Sequence, residues 1–223
     1  MTDLKTFHES VKKGDLEAVR AGLAQHAVWL DELNEAGQNA FVLAKYYRQE
    51  GVAEYLLGLR PKLDVFSLSI AGREADALAE IDRNPALLEA HSSDGWTPLH
   101  LAAFFGHVGL ANALVDRGAA VNSRSTNPMK NTPLHAASAG GHLTLVELLL
   151  KRGANPNATQ EGGWTALHGA AQSGHREMVE ALLAGGADAN LRASNQQTAL
   201  DMALMKGHQD IASMLEALTG GGQ

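Results

Sequence analysis

Apolar residues recur along the chain in short segments with helical spacing, and glycines separate the segments. In one segment they fall at i, i+1, i+4 and i+5, the spacing of a buried stripe on a helix: Met178, Val179, Leu182 and Leu183. A shorter segment before it defines the face of a second helix: Leu167, Ala170 and Ala171. Helices this short are marginal in water. The pattern therefore predicts pairs of short helices that are stable only when packed on each other and on the next pair.

The paired segments form part of an internal repeat. A T-x-L motif starts at four positions, separated by 35, 33 and 33 residues: Thr97, Thr132, Thr165 and Thr198. Each motif is followed nine positions later by a glycine: Gly106, Gly141, Gly174 and Gly207. Self-similarity at such a period is the signature of a stacked repeat architecture, in which each unit contacts chiefly its neighbours.

The T-P-L-H-x-A pattern that begins at Thr97 and Thr132 resembles the ankyrin repeat, which pairs a β-turn with two antiparallel helices. The resemblance implies an all-α repeat solenoid, built as a curved stack of about seven helix pairs with β-hairpin or loop fingers on one edge. From the glycine offset and the apolar stripe, the pairs are expected to start near residues 5, 39, 63, 97, 132, 165 and 198.

Repeat quality divides this single continuous solenoid into segments. Residues 1–94 are expected to hold about three degenerate repeats, residues 95–195 three consensus-like repeats, residues 196–219 a C-terminal capping repeat, and residues 220–223 a flexible tail. The interval from 39 to 63 is too short for a complete finger, so residues 58–64 are predicted to link two helices directly. The interval of 35 residues predicts a longer or bent finger between Ser123 and Asn131.

The recurring Thr, His and Gly residues raise the question of a duplicated catalytic or metal site. Repetition spaces them along the array, whereas a zinc site gathers about four ligands around one centre. In the family that the chain resembles, the Thr hydroxyl and the His ring tie the helix start to neighbouring backbone groups. Threonine also suits an N-cap, and glycine suits a helix end with positive φ. The expected structural positions are Thr97, His100, Gly106, Thr132, His135, Gly141, Thr165, His168, Gly174 and Gly207.

Composition and missing motifs narrow the function further. The chain has no Cys and a net charge of −7, with no basic run longer than two residues, which argues against thiol chemistry and nucleic-acid binding. It has no G-x-S-x-G, Walker or H-E-x-x-H motif. We therefore expect neither catalysis nor a cofactor. The polar first residues and the lack of a long apolar run predict a cytoplasmic protein without membrane insertion, monomeric by itself.

The positions that vary between repeats indicate where a partner would bind. In the family that the chain resembles, the two residues before the helix-ending glycine and the residue before the Thr line a concave groove for partners. These positions are aromatic or polar here: Tyr46, Tyr47, Trp96, Phe104, Phe105, Trp164 and Gln172. Finger residues are expected to form the rim: Asp94, Met129, Asn131, Glu161 and Gln197. The alternative is that the aromatic side chains only pack against adjacent fingers.

The predicted function is a non-catalytic protein–protein interaction module or adaptor, because an extended groove without catalytic motifs offers binding and little else. It implies an unidentified protein partner. An alternative function is that of an inhibitor, immunity or regulatory protein of a co-expressed enzyme or toxin, suggested by the acidic charge balance.

Overall fold

The computed structural model describes residues 3–219, so the tail predicted for residues 220–223 lies outside the described residues. Within residues 3–219 the chain forms fourteen α-helices and three short 3₁₀ helices, with no β-strand. The α-helices are α1 (Leu4–Lys13), α2 (Leu16–Gln25), α3 (Ala40–Tyr46), α4 (Glu50–Gly58), α5 (Val65–Ala71), α6 (Glu74–Arg83), α7 (Pro98–Phe105), α8 (Val108–Asp116), α9 (Pro133–Gly140), α10 (Leu143–Lys151), α11 (Ala166–Ser173), α12 (Arg176–Ala184), α13 (Ala199–Lys206) and α14 (Gln209–Thr219). The 3₁₀ helices are Ala27–Leu30, Pro85–Leu88 and Glu161–Gly163.

The α-helices pack as consecutive pairs in two rows. Each odd-numbered helix contacts the even-numbered helix that follows it and also the next odd-numbered helix along the chain. The even-numbered helices form the second row, in which α4 and α6 are in less contact than any other two neighbours. This arrangement confirms the predicted α-repeat fold, because contacts run from each pair to its neighbours.

Each odd-numbered helix is preceded by an N-cap residue with a short polar side chain: Asp3, Asn39, Asp64, Thr97, Thr132, Thr165 and Thr198. In the first three pairs an Asp or Asn takes the place of the Thr, and its oxygen accepts a helix N–H, as in the 2.7 Å bond from Thr6 N to Asp3 Oδ1. In the first pair, whose start the sequence placed near residue 5, the cap is Asp3 and α1 begins at Leu4.

The buried apolar side chains form two hydrophobic clusters. The smaller one runs from Phe7 to Leu101 and lies mainly within the first two pairs, and the larger one runs from Val65 to Leu215. Leu63, Phe66 and Trp96 are partly buried and pack against both clusters. These three side chains therefore join the N-terminal part of the stack to the rest.

The segments between pairs, here called fingers, are loops at residues 31–38, 89–96, 123–131, 156–164 and 190–197. Four of them close with a backbone N–H bonded to the carbonyl four residues later, as in the 2.9 Å bond from Ser92 N to Trp96 O. In the finger at 123–131 the closing bond joins Ser125 N to Asn131 O, six residues apart, so the predicted longer finger is confirmed. Adjacent fingers also bond to each other, as from Thr126 N to Gly95 O at 2.9 Å.

One finger is missing between the second and third pairs. Helix α4 ends at Gly58 and α5 begins at Val65, so the predicted direct link between the two helices is confirmed. The link is held at its middle, where Lys62 N donates to Asp31 Oδ1 at 2.7 Å. The fingers at 31–38 and 89–96 therefore become neighbours, although two helix pairs separate them in the chain.

Gly174 illustrates why glycine ends a first-row helix. Its φ is +73°, a left-handed conformation that residues with a Cβ seldom adopt. A Cβ there would also lie 2.6 Å from the ring of His208, which belongs to the next repeat. The glycine therefore permits both the helix end and the close approach of the following layer.

Candidate functional site

The three histidines of the T-x-L-H motifs each connect two repeats. His100 Nδ1 lies 2.8 Å from Thr97 Oγ1, and His100 Nε2 lies 3.0 Å from the carbonyl of Asn131, just before the next N-cap. His135 and His168 repeat this geometry, with Nε2 lying 3.1 Å and 3.2 Å from the carbonyls of Trp164 and Gln197. Each imidazole thus occupies a hydrogen-bonded position between layers.

These contacts define the protonation of the rings. A carbonyl can only accept, so each Nε2 carries the proton and each Nδ1 accepts from the Thr hydroxyl. Burial lowers the pKa of His100 to about 4, although the hydrogen bond to the Asn131 carbonyl by itself raises the pKa. Burial likewise lowers the pKa of His135 and of His168. The rings are therefore neutral at pH 7 and already have hydrogen-bond partners.

The histidines that follow the helix-ending glycines bond in the opposite direction along the stack. His107 Nε2 lies 2.9 Å from the Ile70 carbonyl, and His142 Nε2 lies 3.0 Å from the Phe104 carbonyl. His208 Nε2 lies 3.1 Å from the carbonyl of Gln172. Within residues 3–219, no group of three or more His, Cys, Asp or Glu side chains could hold a metal ion.

Four of the predicted partner-binding residues form a continuous row, which we call the aromatic ladder: Tyr46, Phe105, Phe104 and Trp96. The ring centroids of Tyr46 and Phe105 are 5.7 Å apart, those of Phe105 and Phe104 5.1 Å, and those of Phe104 and Trp96 5.2 Å. All three contacts are edge-to-face, the geometry that aromatic pairs prefer over direct face-to-face stacking.

The ladder is positioned by the C-terminal ends of α3 and α7 and by the residue before the Thr97 cap. Its four side chains are each half-buried. Trp96 and Phe104 pack against the larger hydrophobic cluster, while Tyr46 and Phe105 pack against the smaller one. Part of the surface of these aromatic side chains is therefore buried by packing against neighbouring elements, which is the alternative that the sequence left open. The rest of their surface faces solvent.

Charged and polar groups surround the ladder. Lys45 Nζ lies 5.8 Å from the centroid of Phe105, within the range of a cation–π contact. Tyr47, which is 50% exposed, lies beside the ladder with Lys12 Nζ 5.6 Å from its ring centroid. Burial raises the pKa of Tyr46, and the negative charge of the neighbouring Asp94 carboxylate raises it further. The phenol is therefore neutral at pH 7.

Four further predicted residues line a second feature, a cleft of about 450 Å³ between the third and fourth fingers and helices α9 and α11: Met129, Glu161, Trp164 and Gln172. The small residues Ala139 and Gly169 also line it. The Glu161 carboxylate pairs with Lys130 at 3.1 Å. The predicted surface is thus divided into an aromatic ladder and a more polar cleft.

The prediction that Asn131 belongs to the rim is wrong. Asn131 is only 8% exposed, its Oδ1 accepts a 2.6 Å bond from Ser125 Oγ, and its carbonyl bonds to His100. Its polar groups are used inside the longer finger, so it braces that loop. Gln197 is half-buried, and its carbonyl bonds to His168.

Sequence reasoning missed two residues near the ladder. Leu33 is 59% exposed in the finger at 31–38, and the half-buried Phe66 lies in α5. Both line the same pocket as Tyr46 and Asp94. They lie in repeats without the T-x-L motif, so the repeat register did not assign them to the variable positions. The short interval before residue 63 was the one signal that could have drawn attention to this region.

A two-row stack of helix pairs, bonded layer to layer through histidines, defines an α-repeat solenoid. The family model described as ankyrin repeats (3 copies) matches residues 68–160 and 153–218. The chain therefore belongs to the ankyrin repeat family, whose repeats are generally protein–protein interaction modules. A search of the curated proteins finds no match to the chain. Across residues 3–219, every helix is too short or too polar to cross a membrane.

Proposed function

We propose that this chain is a non-catalytic module that binds a protein partner through the aromatic ladder, Tyr47 and the adjoining finger surface. The supporting observation is the ladder itself, because four half-buried aromatic side chains lie in one row at the positions that vary between repeats. Partly exposed aromatic residues that are already held in place dominate binding energies at protein interfaces, since little side-chain freedom is lost on association.

We also propose that the whole described stack consists of ankyrin repeats, including the pairs α1–α2 and α3–α4 that precede the family match. Their first-row helices begin at the same kind of cap and contact the next first-row helix. The chain would then present about seven repeats, act in the cytoplasm and be monomeric until it meets its partner.

A triple alanine variant tests the proposed binding surface. Changing Tyr47, Trp96 and Phe104 together to Ala is expected to reduce retention of the partner from native extract by at least about tenfold, because each truncation removes an aromatic contact. The measurement is quantitative mass spectrometry of proteins retained by immobilised wild-type and variant chains. A neighbouring gene product that is retained and inhibited would identify the regulatory alternative.

Two further variants keep the result interpretable. Tyr47→Ala alone removes a 50% exposed side chain, so it is expected to weaken retention while the unfolding transition stays unchanged. Met205→Ala changes the position in α13 that corresponds to Phe104 in α7, and Met205 is 66% exposed. It is expected to retain the partner fully. Equal retention by the wild type and the folded triple variant would contradict the proposal.

A further inference from the structure

The missing finger leaves a pocket in the stack. Gln38 Nε2, in the finger at 31–38, donates to Asp94 Oδ2, in the finger at 89–96, at 3.4 Å. A Cβ on Gly37 would lie 3.3 Å from Ser93 Cβ, so the two fingers are in close contact. Between these fingers and helices α3, α5 and α7 lies a cavity of about 300 Å³, here called the missing-finger pocket. Its size is at the lower end for a ligand site.

The charged side chains that line the pocket are all acidic. Two carboxylates, Asp64 and Asp94, and two aromatic rings, Tyr46 and Phe66, line it together with apolar side chains such as Leu33. No Lys, Arg or His lines it. Neither carboxylate has a cationic partner within residues 3–219: Asp64 accepts from Ser67 N at 2.8 Å, and Asp94 accepts from Gln38 Nε2 at 3.4 Å. All these donors are neutral, so the negative charge of the pocket is not balanced from within.

The pocket therefore favours a side chain that has an apolar stem and a cationic head. An arginine fits best, because its planar guanidinium bonds a carboxylate through two N–H groups and stacks on aromatic faces, while its methylene stem covers apolar surface. Lysine offers only a point charge to the same groups. Leu33 is exposed beside the pocket and is available to contact the stem.

We propose that the missing-finger pocket accepts an arginine side chain from a basic segment of the protein partner, with Asp94 as the main acceptor. This inference rests on the proposed function and adds the chemistry of the partner. Tyr46 belongs to both the pocket and the aromatic ladder, so one bound segment can place an arginine in the pocket and its neighbouring residues along the ladder.

Peptide titrations followed by NMR test the proposal without a known partner. The probe is N-acetyl-glycyl-arginyl-glycinamide, added at millimolar concentration to the ¹⁵N-labelled full chain. We expect saturable shifts of the amide signals of Ser67, Ser93 and Asp94. The same peptide with citrulline, which keeps the shape of arginine without its charge, is expected to cause none, and the lysine peptide is expected to bind more weakly.

Isosteric variants complete the experiment. Asp94→Asn is expected to weaken binding of the arginine peptide by at least about tenfold, because a charge-assisted bond becomes a neutral one. Asp64→Asn preserves the helix cap and is expected to weaken binding as well, which provides a second variant if Asp94→Asn perturbs the fold. Asp188→Asn, at an exposed acid two residues before the fifth finger, is the matched control and is expected to bind as the wild type does.

The outcomes separate this inference from the proposed function. Equal binding of the citrulline peptide, unchanged binding by Asp94→Asn and Asp64→Asn, shifts confined to other regions, or no saturable shift would each overturn the arginine pocket. If the arginine peptide does not bind and the aromatic variants still retain less partner, the proposed binding surface is supported and the arginine pocket is overturned. If the aromatic variants retain the partner as the wild type does, the proposed function is overturned, whether or not the arginine peptide binds.

Discussion

Replacing Leu145 by alanine is expected to lower the free energy of unfolding by about 2–5 kcal/mol. Leu145 is fully buried in α10 and belongs to the larger hydrophobic cluster. Truncating it removes buried apolar area and leaves a cavity between layers that can collapse only in part, since the helices on both sides are held by their own neighbours. Urea unfolding followed by circular dichroism measures the loss.

Leu218→Ala provides the control for this loss. Leu218 is 57% exposed in α14, and surface substitutions of this kind usually change stability by less than about 0.5 kcal/mol. A similar loss in both variants would contradict the description of the layers as tightly packed around Leu145.

The stability of the protein is expected to fall between pH 6.5 and pH 4, before most carboxylates titrate. The folded state holds His100 neutral, with its pKa lowered to about 4 by burial, while in the unfolded chain the group titrates near 6.5. Below pH 6.5 the unfolded chain therefore binds a proton that the folded chain does not, and stability falls until the pH reaches the folded pKa. For His100 alone this amounts to at most about 3 kcal/mol.

His135 and His168 add to the fall, because burial lowers the pKa of each in the same direction. Free energies of unfolding measured by urea titration at several pH values above 4 test this expectation. His100→Gln, which keeps a side-chain amide donor, is expected to be less stable at pH 7 and to show a shallower slope between pH 6.5 and 4. A wild-type stability that is constant over this range would refute the account of buried neutral imidazoles.

Most of the fold could be predicted because the determinants are local and repeated. A Thr cap, a helix-ending glycine and an apolar stripe each specify a piece of backbone within about ten residues, and their recurrence indicates that the pieces stack. The same reasoning found the longer finger before Asn131 and the direct link at residues 58–64. In the first pair the cap is Asp3, which carries no T-x-L motif, so the glycine offset alone placed that start near residue 5, next to Leu4.

The candidate site was only partly predictable because it depends on contacts between layers. The repeat register placed Trp96, Phe104 and Tyr46 at variable positions, yet the edge-to-face row that they form with Phe105 depends on a contact between residues of α3 and α7, which belong to pairs that are not consecutive in the chain. The role of Asn131 depends on a histidine 31 residues earlier. The pocket containing Leu33 and Phe66 exists because two fingers meet over a missing third, a geometry that the periodic pattern itself does not contain.

Site-specific photo-crosslinking tests the central claim most directly, namely that the partner binds at the aromatic ladder while the repeated histidines only hold the layers together. Benzoylphenylalanine is placed either at Tyr47, beside the ladder, or at Leu218, which is 57% exposed at the far end of the stack. Both chains are irradiated in native extract and the products are compared. The account predicts a discrete crosslinked protein from position 47 and none from position 218. The same products from both positions, or a product from position 218 alone, would contradict it.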